Sequence, residues 1–133
     1  MKQTGRWNIL EHAQVANDAA CSEHFSQFVS SFVKKEYRDR WLHLLLTRPK
    51  QIYKNSSKLE AHLDKSKCTA IDETSYPGGE SLGLYYDFSN QPVMILTSSS
   101  LVVGENHDGI FSISPGKLAI YFSHEGHNWL CKL

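Results

Sequence analysis

No apolar run in this chain is long enough to cross a membrane. Leu42–Leu46 is interrupted by His43, and Val93–Leu96 is shorter still, whereas a spanning helix needs about 20 such residues. Met1–Leu10 has no hydrophobic segment before the polar Glu11, His12 and Gln14, so no secretory leader is expected. Cysteine is scarce and odd in number: Cys21, Cys68 and Cys131 are far apart, and no Cys-x-x-Cys pair exists to suggest zinc or redox work. A reducing cytoplasm is the compartment this implies, with each thiol serving as a small buried hydrophobe. P-loop and dinucleotide glycine spacings are missing. The glycine-bearing stretches SYPGGE (Ser75–Glu80) and GENHDG (Gly104–Gly109) carry carboxylates that would repel phosphate, and they read as turns. Internal repeats and low-complexity segments are lacking too.

What is present fits one compact domain of 133 residues, 41% hydrophobic. The net charge of zero conceals a division. Residues 1–67 hold 12 Lys and Arg against 7 Asp and Glu, a net +5, and residues 68–133 hold 2 against 7, a net −5.

The first 67 residues read as helical. Asn8 followed by Glu11 has capping-box spacing, and Ala13, Ala16, Ala19 and Ala20 supply helix propensity. From Ser22, apolar residues recur at Phe25, Phe28, Val29, Phe32, Val33, Tyr37, Trp41, Leu44 and Leu45, the stripe of a helix with one buried face. That helix must stop by Arg48, because Pro49 has no amide donor and disfavours helical geometry in its predecessor. A further helix is expected after Pro49, with Thr47 as its cap and Ile52, Leu59 and Leu63 facing inward.

Residues 80–133 change to short period-two runs separated by turn-formers. Strands are expected near Leu82–Phe88, Val93–Thr97, Leu101–Val103, Ile110–Ser114, Leu118–Phe122 and Trp129–Leu133. The fold class is therefore α+β, with N-terminal helices packed on one face of a C-terminal antiparallel meander sheet of about five to six strands.

Three groups of residues carry candidate chemistry. The segment Lys34–Lys67 has a local excess of +6, and Lys50, Lys54 and Lys58 repeat at a spacing that lines up like charges on a helix at a cost of roughly 0.2–0.5 kcal/mol per pair. With Arg48 and Arg38 this row is a candidate surface for an acidic protein partner, or for the acidic half of a second copy in a salt-sensitive dimer. A nucleic-acid reading would use the same cations on phosphates and Tyr37, Trp41 or Tyr53 for stacking; the neutral domain and the absence of a nucleic-acid-reading motif weigh against it. The aromatic sheet residues Tyr85, Tyr86, Phe88, Phe111, Tyr121, Phe122 and Trp129 are candidates for a ligand pocket, Tyr85, Tyr86, Tyr121 and Trp129 foremost, set against plain core packing. Since alternation sends Tyr85 and Tyr86 to opposite faces, one of them should meet solvent, a partner or a pocket. Finally YFSHEGHNWLC, Tyr121–Cys131, places His124, His127 and Cys131 close together, with His107 as a possible fourth ligand. Imidazoles and a thiolate form a workable zinc set, but one lacking a second spaced ligand pair. Nucleophilic use of Cys131 with His124 and Glu125 or Asp108 would need neighbouring turn residues to converge. The balance favours exposed turn histidines, no cofactor and no catalytic residue.

RDRWLHLLLTRPK (Arg38–Lys50), LEAHLD (Leu59–Asp64) and DGIFSISPGKLAIYF (Asp108–Phe122) together resemble a group of short uncharacterised bacterial proteins carried on mobile elements such as integron gene cassettes. The resemblance implies a stand-alone accessory protein without established enzymology, compatible with an immunity or antitoxin role by analogy of context. It supplies no catalytic residues.

Overall fold

A computed structural model describes residues 13–71, 80–97, 108–123 and 128–133. The alanine-rich start does not form the expected helix in its described part. Gln14–Val15 pair as a short strand, β1, and the helix begins only where Asn17 can cap it, its side chain accepting the Ala20 amide at 2.8 Å. This helix, α1 (Asp18–Phe32), buries Phe25, Phe28, Val29 and Phe32 on one stripe.

The stripe predicted as one helix from Ser22 to Arg48 is broken in the middle. Val33 turns extended at φ −101° and ψ 140° and bridges to Leu63. Lys34 donates its amide to His62 O at 2.9 Å, and Asp64 donates to Phe32 O at 2.7 Å. Two short backbone bonds to a distant segment thus replace the helical ladder. Arg38 Nε donates to Val33 O at 2.9 Å and satisfies that carbonyl. A single tight turn, Lys35–Tyr37, leads into α2 (Arg38–Thr47), which buries Trp41 and Leu45. Beyond it lie two one-turn helices, α3 (Ile52–Asn55) and α4 (Leu59–His62), joined through Ser56–Lys58. Thr47 does not cap α3, because its hydroxyl donates backward to His43 O at 2.9 Å. Ile52, Leu59 and Leu63 are buried as expected.

The sheet has seven described strands rather than five or six. To β1 are added β2 (Cys68–Ile71), β3 (Leu82–Tyr86), β4 (Val93–Leu96), β5 (Gly109–Ser114), β6 (Leu118–Phe122) and β7 (Asn128–Lys132). Every pairing is antiparallel, in the order β1-β4-β3-β5-β6-β7-β2. The meander therefore holds for β5-β6-β7 alone: β4 folds back outside β3, and β5 takes β3's other side. The expected strand at Leu101–Val103 lies outside the described residues.

Both faces of the central strands are buried. Leu84, Tyr86, Ile110, Ala119, Tyr121 and Cys131 join the helical residues in one apolar cluster, while Tyr85, Val93, Ile95, Phe111, Ile120 and Phe122 form a second cluster on the opposite face. Gly83 is demanded by this packing, since a Cβ there would meet Phe111 Cε1 at 2.6 Å and Ser112 O at 2.9 Å. Gly116 makes the β5–β6 turn at φ +73°.

Candidate functional site

A cleft of about 560 Å³ opens between the turn that ends α2 and the turn joining β3 to β4. Its size falls in the range of ligand sites, roughly 300–1,000 Å³. Arg48, Pro49, Lys50, Ile52 and Tyr53 form one wall; Tyr86 and Phe88–Gln91 form the other.

Both walls are fixed by strained backbone. Arg48 has φ 47° and Phe88 φ 67°, and these are the described residues other than glycine that adopt the left-handed region. Such a conformation costs a residue with a Cβ on the order of 1–2 kcal/mol. Strain of this kind gathers at ligand clamps, where the surroundings over-determine the backbone. Asp87 does so for the second wall. It is buried, and its carboxylate accepts the amides of Ser89 at 3.0 Å and Asn90 at 2.9 Å, with Asn90 Nδ2 at 3.0 Å on the other oxygen. Phe88 packs edge-on against Tyr86 with ring centroids 5.1 Å apart, and Phe25 supports Tyr86 from the core at 5.5 Å.

The electrostatics of the cleft favour an anion. Its described lining holds two cations, Arg48 and Lys50, and no carboxylate. Arg48's guanidinium makes no hydrogen bond or ion pair among the described residues. The Tyr86 hydroxyl is likewise without a hydrogen-bond partner among them, although Tyr86 is only 2% exposed. A buried hydroxyl is ordinarily satisfied, so one left open beside a cation calls for an explanation. Burial pushes the Tyr86 phenol up to about 12, with Arg48 pulling the other way and Asp87 and Cys21 adding to the rise. It is therefore a hydrogen-bond donor throughout the physiological range. At the mouth, Tyr53 is 61% exposed and Lys50 is exposed.

The cleft joins residues that the sequence placed in separate groups: Arg48 and Lys50 from the basic row, Tyr86 and Phe88 from the aromatic set. The rest of both groups lies elsewhere. Lys50 precedes α3, Lys54 lies within it and Lys58 ends the following tight turn, so these exposed lysines do not share one helix. Arg38 is occupied on the Val33 carbonyl. Tyr85 is buried in the opposite cluster. Tyr121 is fully buried and donates its hydroxyl to Ser56 O at 3.1 Å. Trp129 donates Nε1 to Glu60 Oε2 at 2.7 Å, with Lys65 Nζ 4.9 Å above its ring. These three aromatic residues therefore hold elements together, and of the aromatic pocket candidates Tyr86 and Phe88 line the cleft.

Of the stacking candidates, Trp41 is buried and donates Nε1 to His62 Nδ1 at 2.8 Å, and Tyr37 stacks on His62 with centroids 3.7 Å apart. Tyr53 is left as the accessible ring. His107, His124 and His127 lie outside the described residues, as does Glu125. Cys131 is buried against Cys68, and no group of three potential metal ligands occurs among the described residues.

A serine–histidine contact that sequence reading did not single out joins α1 to β5: His24 Nδ1 lies 2.7 Å from Ser112 Oγ. Both side chains are buried, His24 at 7% and Ser112 at 1% exposure. At 88 positions apart, their spacing gave no signal. Pinned between helix and sheet, the pair ties α1 down rather than facing a substrate.

The chain matches no protein-family model, no curated protein and no solved structure. No described helix is long and apolar enough to cross a membrane.

Proposed function

We propose that this chain is a non-enzymatic binding protein whose recognition site is the Arg48–Tyr86 cleft, and that the occupant is an acidic segment of a protein partner. The observation that carries the reading is the buried Tyr86 hydroxyl, unpartnered among the described residues and lodged beside an Arg48 equally free of partners. One carboxylate could accept from both, a charge-assisted arrangement of the strong kind. The rings of Phe88 and Tyr53 offer apolar contact to the residue next to that carboxylate, and tyrosine and arginine are the residue types that anchor protein interfaces. A polyanion such as nucleic acid would call for a broad basic track with several accessible rings; here Tyr37 and Trp41 are already committed to His62. A stand-alone accessory role in the reducing cytoplasm, as the mobile-element resemblance implies, belongs to the same proposal.

Calorimetric titration with a peptide of alternating glutamate and phenylalanine tests it. Saturable binding that weakens by about tenfold or more in Arg48→Gly, and that vanishes when glutamine replaces glutamate in the peptide, is expected from loss of a charge-assisted bond. Equal binding by the variant, or by the glutamine peptide, would sink the reading. A partner supplied by a second copy of the chain would appear as dimerisation lost in the same variant.

A further inference from the structure

We infer that Cys68 and Cys131 form a reversible dithiol–disulfide site that staples the outer strand β2 to the sheet. The two residues are 63 positions apart in the chain, yet they face each other in register on β2 and β7, on the helix-side face, with their sulfurs 3.2 Å apart. The ladder geometry suits the bond. Lys132 donates its amide to Lys67 O at 3.1 Å, so the neighbouring pair Lys67/Lys132 is the hydrogen-bonded one and Cys68/Cys131 occupies the non-hydrogen-bonded position. Opposed Cα atoms there lie about 4.5 Å apart, inside the range of roughly 4.4–6.8 Å that a disulfide spans.

The order of reaction follows from position. β2 is an edge strand, and Cys68 is 5% exposed against 0% for Cys131. The hydrogen bond with Cys131 lowers the Cys68 pKa, whereas the same hydrogen bond and burial raise that of Cys131. Local opening of the edge strand brings Cys68 to solvent first. The oxidant is a small-molecule disulfide such as oxidised glutathione. Cys68 thiolate attacks one of its sulfurs, forming a mixed disulfide and expelling one glutathione thiolate. Cys131 then gives up its proton to water and attacks Cys68 sulfur, closing the protein disulfide and releasing the second glutathione. Two protein thiols are oxidised and one external disulfide is reduced to two thiols, so electrons and protons balance. The bond closes a 63-residue loop and restricts the unfolded chain accordingly.

The test equilibrates the native protein in glutathione buffers of graded potential, quenches with an alkylating agent and maps the disulfide by mass spectrometry. One intramolecular Cys68–Cys131 bond, Cys21 still alkylated, full reversal by dithiothreitol and a melting temperature higher by on the order of 10 °C are expected. Cys131→Ser should retain only a glutathione adduct at Cys68. Cys68 and Cys131 both remaining thiols at the most oxidising potential, or pairing with Cys21 or between chains, would overturn the inference, and the wild-type map gives that answer whether or not the variant folds.

Discussion

Arg48 holds a left-handed conformation that glycine would adopt without strain, and this separates its two roles. Arg48→Gly should leave thermal stability unchanged or raise it by about 1 kcal/mol through relief of strain, while the acidic ligand is lost. A large fall in melting temperature would instead make Arg48 a packing residue. Tyr86 carries its own pH signature. Its folded-state pKa of about 12 exceeds the unfolded value near 10, so the unfolded chain ionises first. The contribution is complete below about pH 10 and is lost as pH rises toward 12, at up to roughly 2 kcal/mol. Urea titrations across that window should show Tyr86→Phe losing less stability than the wild type; parallel curves would contradict the burial argument. On the acid side the sign reverses. Burial holds His24 and His62 below the ordinary imidazole value, with Arg40, Lys34 and Lys58 adding to the effect at His62. Unfolded imidazoles take up protons as pH falls through about 6.5 while the folded ones resist, so stability is full above that pH and declines below it. His24→Gln, which keeps a polar partner for Ser112, should flatten part of that decline in the same kind of titration.

Among the elements, the apolar stripe from Phe25 to Leu45 was legible residue by residue, yet the helix it implied is interrupted. The tight turn Lys35–Tyr37 keeps the stripe facing the core, so hydrophobic periodicity alone cannot register the break. Its cause lies in Leu63 and His62, whose pairing with Val33 and Lys34 is long-range. The strands β1 and β2 were hidden for a related reason. Gln14–Val15 sits in an alanine-rich run with helix propensity, and Cys68–Ile71 is a short, half-exposed stretch; both are strands because an edge of the sheet receives them. Of the cleft, sequence supplied Arg48, Lys50 and Tyr86 as candidates without their meeting. It offered Phe88 among the aromatic residues but missed the Asp87 turn, whose signal was confined to the turn-formers before Pro92. The same long-range logic governs Gly83. Gly83→Val should cost roughly 1–3 kcal/mol by overpacking against Phe111, measured as a lower urea midpoint with the slope unchanged; a neutral result would mean that the ring swings away freely.

For the whole molecule, the sequence divides its charge about residue 67, +5 before it and −5 after. The cleft sits where the basic segment meets the β3–β4 turn, and its described lining is positive. Association should therefore weaken as salt rises from 0.05 to 0.5 M, flags of about 14 Å and 4 Å in screening length, while the melting temperature changes little. The measurement that reaches the central claim most directly is an amide NMR titration of the full chain with the glutamate–phenylalanine peptide. Shifts concentrated at Arg48, Lys50, Tyr53, Tyr86 and Ser89–Gln91, and absent in Arg48→Gly, are the predicted result. Shifts spread over Lys34, Lys35 and Lys65 with the cleft silent would contradict it and assign the basic segment to nonspecific attraction.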